Sequence, residues 1–71
     1  MIQTDIYVTK DGKTAEKYAY RRFHQVPRVG EFVELRGSDK WRNAEVVRVQ
    51  YGEIDTPPYE QTCALFVKWE N

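Results

Sequence analysis

The sequence holds one cysteine, Cys63, and one histidine, His24. An intramolecular disulfide is therefore excluded, and two such residues fall short of the four ligands that a structural zinc takes. We expect no metal and no cofactor. The four glycines form no phosphate-cradling loop. No apolar run approaches the roughly 20 residues that a membrane-spanning helix needs. The start, Met1-Ile2-Gln3-Thr4-Asp5, lacks the basic and apolar regions of a signal peptide. These absences, with a lone thiol that suits a reducing compartment, lead us to expect a cytoplasmic protein with no membrane partner. Net charge is missing as well, since eleven Lys/Arg face eleven Asp/Glu. A balanced surface attracts nucleic acid poorly at long range, because non-specific binding there is mostly electrostatic.

The zero hides an asymmetry. Residues 1–30 carry six Lys/Arg against three Asp/Glu, and residues 31–71 carry five against eight. Seventy-one residues make a single domain near the lower limit for a core without staples, so apolar packing must hold the fold. Aromatic content is high at 14%, more than so small a core encloses.

The chain is organised around Val26-Pro27-Arg28-Val29-Gly30-Glu31-Phe32-Val33-Glu34-Leu35. A proline–glycine turn delivers the backbone into a strand over Glu31–Arg36, with Val33 and Leu35 on one face. Before it, Ile2, Thr4, Ile6 and Val8 alternate with polar or larger residues, which predicts a half-buried strand. Lys10-Asp11-Gly12-Lys13 predicts a hairpin turn, because Gly12 tolerates positive φ. Residues 14–25 read two ways. Ala15, Tyr18, Ala19, Phe23 and Val26 fit one helical stripe, whereas a strand puts Tyr18, Tyr20, Arg22 and His24 on one face. The strand is preferred, since the turn wants a partner for the first strand and β-formers are frequent here. A three-residue turn would set Tyr18 and Tyr20 on the isoleucine face, and a two-residue turn would reverse that.

Gly37-Ser38-Asp39-Lys40 predicts a second turn, followed by a strand from Trp41 to Tyr51. There Val47 and Val49 are expected inward and Val46 on the opposite face, which calls for a bulge or for cover on both sides. Residues 52–60, with Pro57 and Pro58, predict a loop. A last strand, Gln61–Glu70, sets Cys63, Leu65, Val67 and Trp69 on one face. The expected fold is all-β: a five-stranded small barrel with a leading β-hairpin. The alternative is α+β, with residues 14–25 helical.

The pattern Pro27-x-Val29-Gly30-Glu31-x-Val33-x-Leu35, then Ala44-x-Val46-Val47-x-Val49, then Leu65-x-Val67-x-Trp69 resembles an SH3-like small β-barrel over residues 26–71. It is also similar to small bacterial proteins of phage and mobile-element origin in which a hairpin precedes this motif. The resemblance implies a fold and leaves function open.

Enzymatic chemistry has little to stand on. His24 has no Ser/Asp pattern around it, and Cys63 alternates with Leu65 and Val67 as a buried apolar residue would. We expect no enzyme and infer no small-molecule substrate. The candidate binding residues are Tyr18, Tyr20, Arg21, Arg22 and His24, where rings interleaved with arginines could stack bases and reach phosphates. Lys10, Lys13, Lys17 and Arg28 extend the positive charge. The plainer reading has the tyrosines rimming the core and the arginines simply solvated. Trp41 and Arg42, after a turn, offer a partner contact or the cap of a barrel. Phe32, Val46 and Phe66, on faces opposite the expected core, would form a dimerisation patch if they cluster. The expectation is a non-catalytic binding or adaptor module acting through a protein partner or self-association. The second reading is a nucleic-acid-binding barrel that uses the Tyr/Arg face.

Overall fold

The computed structural model describes residues 1–36, 40–53 and 61–70. Within them the protein is all-β, with β1 (Ile2–Thr9), β2 (Ala15–Phe23), β3 (Phe32–Arg36), β4 (Trp41–Glu53) and β5 (Gln61–Trp69). The strands form one curled, half-barrel sheet in the order β2-β1-β5-β4-β3. Three antiparallel pairs join sequence neighbours (β1–β2, β3–β4 and β4–β5), and the two halves of the sheet are joined by a parallel β1–β5 pair. The residues that also fit a helical stripe form β2 instead. No helix of the described residues is long and apolar enough to cross a membrane. Residues 37–39 of the expected turn and 54–60 of the expected loop lie outside the described residues, while Gly52 and Glu53, expected in that loop, extend β4 through their pairing with Thr62 and Gln61.

Alternation builds the core. Thr4 and Ile6 of β1, Leu35 of β3, Ala44 and Val46 of β4, and Cys63, Leu65 and Val67 of β5 are all buried on the inner face. Val26, just before Pro27, is buried with them, and Ile2, Val8, Phe23, Val33, Val49 and Trp69 pack around the rim. Fully burying a side chain such as Leu65 stabilises by about 1.5–3 kcal/mol, so a handful of such residues must hold the domain.

Two turns set the strand entrances. The connection between β1 and β2 spans residues 10–14, longer than the two or three residues expected, because pairing ends at Thr9–Ala15. Its shape is fixed by side chains. Thr9 Oγ1 accepts from the Gly12 amide at 2.9 Å, and the Asp11 carboxylate accepts from the amides of Lys13 and Thr14. Gly12 sits at φ +78°, which a residue with a Cβ adopts at a cost. The second turn, 26–31, is anchored on β4: the Gly30 amide donates to the Val46 carbonyl, and the Val46 amide donates to that of Glu31.

Each half of the sheet carries one irregularity. On β1–β2, Ile6 pairs with Ala19 and Tyr7 with Lys17, so Tyr18 is an extra residue. On β4–β5, Val46 pairs with Val67 and Arg48 with Phe66, so Val47 is an extra residue. Because Tyr7 is itself paired with Phe66, the two bulges sit at the same level, one on each side of the central parallel pair. Bulges bend a strand and sharpen its twist. Two of them in line fold the sheet along one axis. The fold brings the edge strands together, and the Tyr18 hydroxyl on β2 donates to the Arg36 carbonyl on β3 at 3.0 Å.

The β4 bulge corrects the expected facing. Val46 is 0% exposed in the core, and Val47 is the residue displaced from the inner row. An extra residue reverses the parity, so Val46 and Val49 both point inward. The patch imagined from Phe32, Val46 and Phe66 therefore does not exist: Val46 is inside, and Phe66 lies on the outer face against Tyr7.

Candidate functional site

Directly paired residues share a sheet face, which locates each candidate. Tyr20 is opposite Asp5 and Arg22 is opposite Gln3, both on the outer face. Arg21 pairs with buried Thr4 on the inner side, where its guanidinium turns back to the Tyr20 carbonyl at 2.8 Å. His24 follows the end of β2 and is exposed. Tyr18, displaced by the bulge, turns to the rim at Trp69. The five residues of the Tyr18–His24 stretch thus do not form one surface. The β2 bulge separates Tyr18 from Tyr20, a correction to the single face expected from alternation.

The rim is where two of the candidates meet. The Arg42 guanidinium lies over the Trp69 ring at 4.2 Å from its centroid, and Tyr18 meets the same ring edge-on at 5.1 Å. Arg42 pairs with Leu35 and Trp69 with Ala44, which puts both on the inner side at the open end of the sheet. Trp41 pairs with Arg36 on the outer side and is 62% exposed. On the outer face, Tyr7 and Phe66 stack across the parallel pair at 5.2 Å, and Arg48 lies over Phe66 at 5.2 Å. The ion pair recorded among the described residues joins Lys17 to Asp5 at 3.2 Å.

Two grooves adjoin at this end. One is lined by Trp69, Thr9, Lys10, Arg42 and Lys68. The other passes Phe66, loop 10–14 and the bulged Val47, and carries Lys13, Arg48 and Lys68. They share Thr9 and Lys68. Lys10, Lys13, Arg42, Arg48 and Lys68 therefore line two adjoining grooves, one against Trp69 on the inner side and one against Phe66 on the outer face, with no carboxylate among the described lining residues. The nearby acids are placed otherwise. Asp11 is turned onto its own loop, and its hydrogen bonds from Thr14 and Lys13 hold its carboxyl below the ordinary value of 3.8. Glu45 stands across from Lys68 in the register, and Glu16 lines a neighbouring groove beside Tyr18.

Sequence reasoning missed this groove. Its cations come from loop 10–14, the start and the bulge of β4 and the end of β5, and only the register brings them together. Arg42 was singled out beside Trp41, but nothing local paired it with Trp69. The remaining chemistry-bearing residues stand apart. Burial pushes the Cys63 thiol up from its ordinary value, which keeps it protonated and unreactive. Among the described residues, no group of three or more His, Cys, Asp or Glu is placed to hold a metal ion.

Comparison with known proteins adds no assignment: no family model, no curated protein and no solved structure matches this chain.

Proposed function

We propose that this chain is a non-catalytic binding module whose ligand is a nucleic acid, held at the basic groove between loop 10–14 and the end of β5. The observation that carries the proposal is convergence. Five cations distant in sequence line two adjoining grooves without a carboxylate among the described lining residues, in a protein whose total charge is zero. Like charges gathered around adjoining grooves repel one another in the free protein, and a polyanion relieves that repulsion. Trp69 in one lining and Phe66 in the other suit a ligand with flat bases better than a purely ionic one.

Contact with a protein partner or a second copy is less well supported. Phe32 and Trp41 are exposed on the outer side of the β3–β4 hairpin, but the polar pair Glu34–Asn43 lies between their rows. The long edge strand β2 is bulged and carries Glu16, Lys17, Arg21 and Arg22, features that blunt an edge against pairing.

Titrating isotope-labelled protein with mixed-sequence oligonucleotides at low salt tests the proposal. We expect amide shifts at Lys10–Thr14, Arg42 and Lys68–Trp69 that fade as salt rises. No shifts at low salt, where electrostatic binding is strongest, would refute it.

A further inference from the structure

Among the remaining features, three bear on what the module binds. Cys63 is buried and enclosed. The β2 edge is blunted as described. The third is the Trp69 ring, which is packed against the core yet opens into the groove beneath Arg42.

Resting on the nucleic-acid reading above, the geometry points to a single-stranded ligand, one of whose unpaired bases stacks on Trp69 in the place that Arg42 now occupies. The ring is approached by two groups of different character. Tyr18 meets it edge-on and is fixed by the hydrogen bond from its own hydroxyl to the Arg36 carbonyl, so that side is a wall. Arg42 is an exposed side chain laid over the ring at 4.2 Å, held there by a cation–π contact that is worth little at exposed sites. That side is a cover that can be lifted. When a base takes its place, Arg42 keeps its charge and moves to the groove wall, which Lys10 and Lys68 also line, so that the three cations meet the phosphate backbone together. One displacement thus exchanges a weak internal contact for a stacked base and a guanidinium–phosphate pair.

The charge around the ring selects the ligand class. A cationic guest, such as a methylated lysine, would meet a ring that already carries Arg42 and is flanked by Lys10 and Lys68. A duplex keeps its bases stacked internally and offers the ring nothing. A single strand supplies both a negative backbone and a free base.

The test compares a short oligothymidylate, the same phosphodiester chain without bases, and a duplex. All three are titrated into protein carrying Trp41→Phe, so that Trp69 alone reports by fluorescence. Stacking predicts that the oligothymidylate binds roughly five- to 150-fold more tightly than the abasic chain, more tightly than the duplex, and quenches Trp69 as it binds. In Arg42→Ala, the abasic chain loses affinity for want of one cation. The oligothymidylate loses less, because its ring is uncovered, so the ratio between the two ligands rises. Equal affinity for oligothymidylate and abasic chain would overturn the stacking inference and leave the polyanion groove standing. A base preference without quenching of Trp69 would place the stack elsewhere and overturn it too. Binding of none of the three would remove the nucleic-acid reading on which it rests.

Discussion

The number of cations in the groove sets a quantity that can be measured. Releasing counterions from a single strand makes the binding constant fall with salt, with a logarithmic slope of about −0.7 for each phosphate neutralised. If Lys10, Lys13, Arg42, Arg48 and Lys68 each meet one phosphate, the slope is about −3.5. Affinity then drops about 100-fold between roughly 50 and 200 mM salt. The double variant Lys13→Ala/Lys68→Ala removes two contacts and brings the slope to about −2, with a drop of about 20-fold over the same range. Both side chains are exposed, and it is the backbone amide of Lys13 that holds the turn, so stability should change by less than about 0.5 kcal/mol. Fluorescence anisotropy of a labelled oligonucleotide at several salt concentrations gives the slope directly. Arg22→Ala is the control. Arg22 pairs with Gln3, six residues along β1 from Thr9 and thus about 20 Å from the groove, and its loss should leave the slope unchanged. If Arg22→Ala lowered the slope as much as the groove variants do, the cations would be acting as a diffuse field. If Lys13→Ala/Lys68→Ala left it untouched, the groove would not be where phosphate binds.

Two further perturbations test the frame that builds the groove. Val46→Ala should cost about 2 kcal/mol in urea unfolding, because it opens a cavity at a fully buried site, whereas Val47→Ala should cost less than about 1 kcal/mol; the reverse order would put the bulge elsewhere. Asp11→Ala should destabilise at neutral pH by removing the carboxylate that holds Lys13 and Thr14. Because the folded-state pKa of Asp11 is depressed, its contribution is present above the ordinary aspartate value and is lost as pH falls through the lower folded value. The stability gap between wild type and variant should therefore shrink below about pH 4, and a gap that persists unchanged in acid would refute the charge argument.

Much of the fold was legible where alternation runs uninterrupted. Ile2, Thr4, Ile6 and Val8 on β1, and Cys63, Leu65, Val67 and Trp69 on β5, face inward as their spacing implies. Those two strands form the central parallel pair and contain no bulge of their own. The preference for a strand over residues 14–25 rested on turn chemistry and β-forming side chains, and β2 forms there. Reading failed at two residues. Val46 and Val47 are chemically identical, so nothing local says which of them is the extra one. Tyr18 and Tyr20 are likewise alike, and parity carried both to one face. In each case the decision is made by the partner strand, through hydrogen bonds that no single segment encodes. The groove was illegible for the same reason: Lys10, Lys13, Arg42, Arg48 and Lys68 become neighbours only once the register is known.

The two bulges that hid the site also make it. Were β2 and β4 regular, the sheet would curl less and its edges would stand farther apart. The Tyr18 hydroxyl would not reach the Arg36 carbonyl, and its ring would not stand against Trp69. Val47 would not be displaced from the ladder into the groove beside Phe66. Of the two residues that break the alternation, Val47 lines one groove and Tyr18 stands against Trp69 of the other. A domain this small has little core to surrender, and an irregularity on each side of its central pair is costly unless it serves the surface. Binding can therefore be separated from the core. Deleting Val47 leaves Arg48 opposite Phe66 and Val49 opposite Leu65, as they already are, so β4 should become regular with its core facing kept while the groove loses the wall that Val47 gives it. Val47→Thr, which keeps the bulge while changing only the groove wall, should leave unfolding nearly unchanged and confine its effect to ligand affinity.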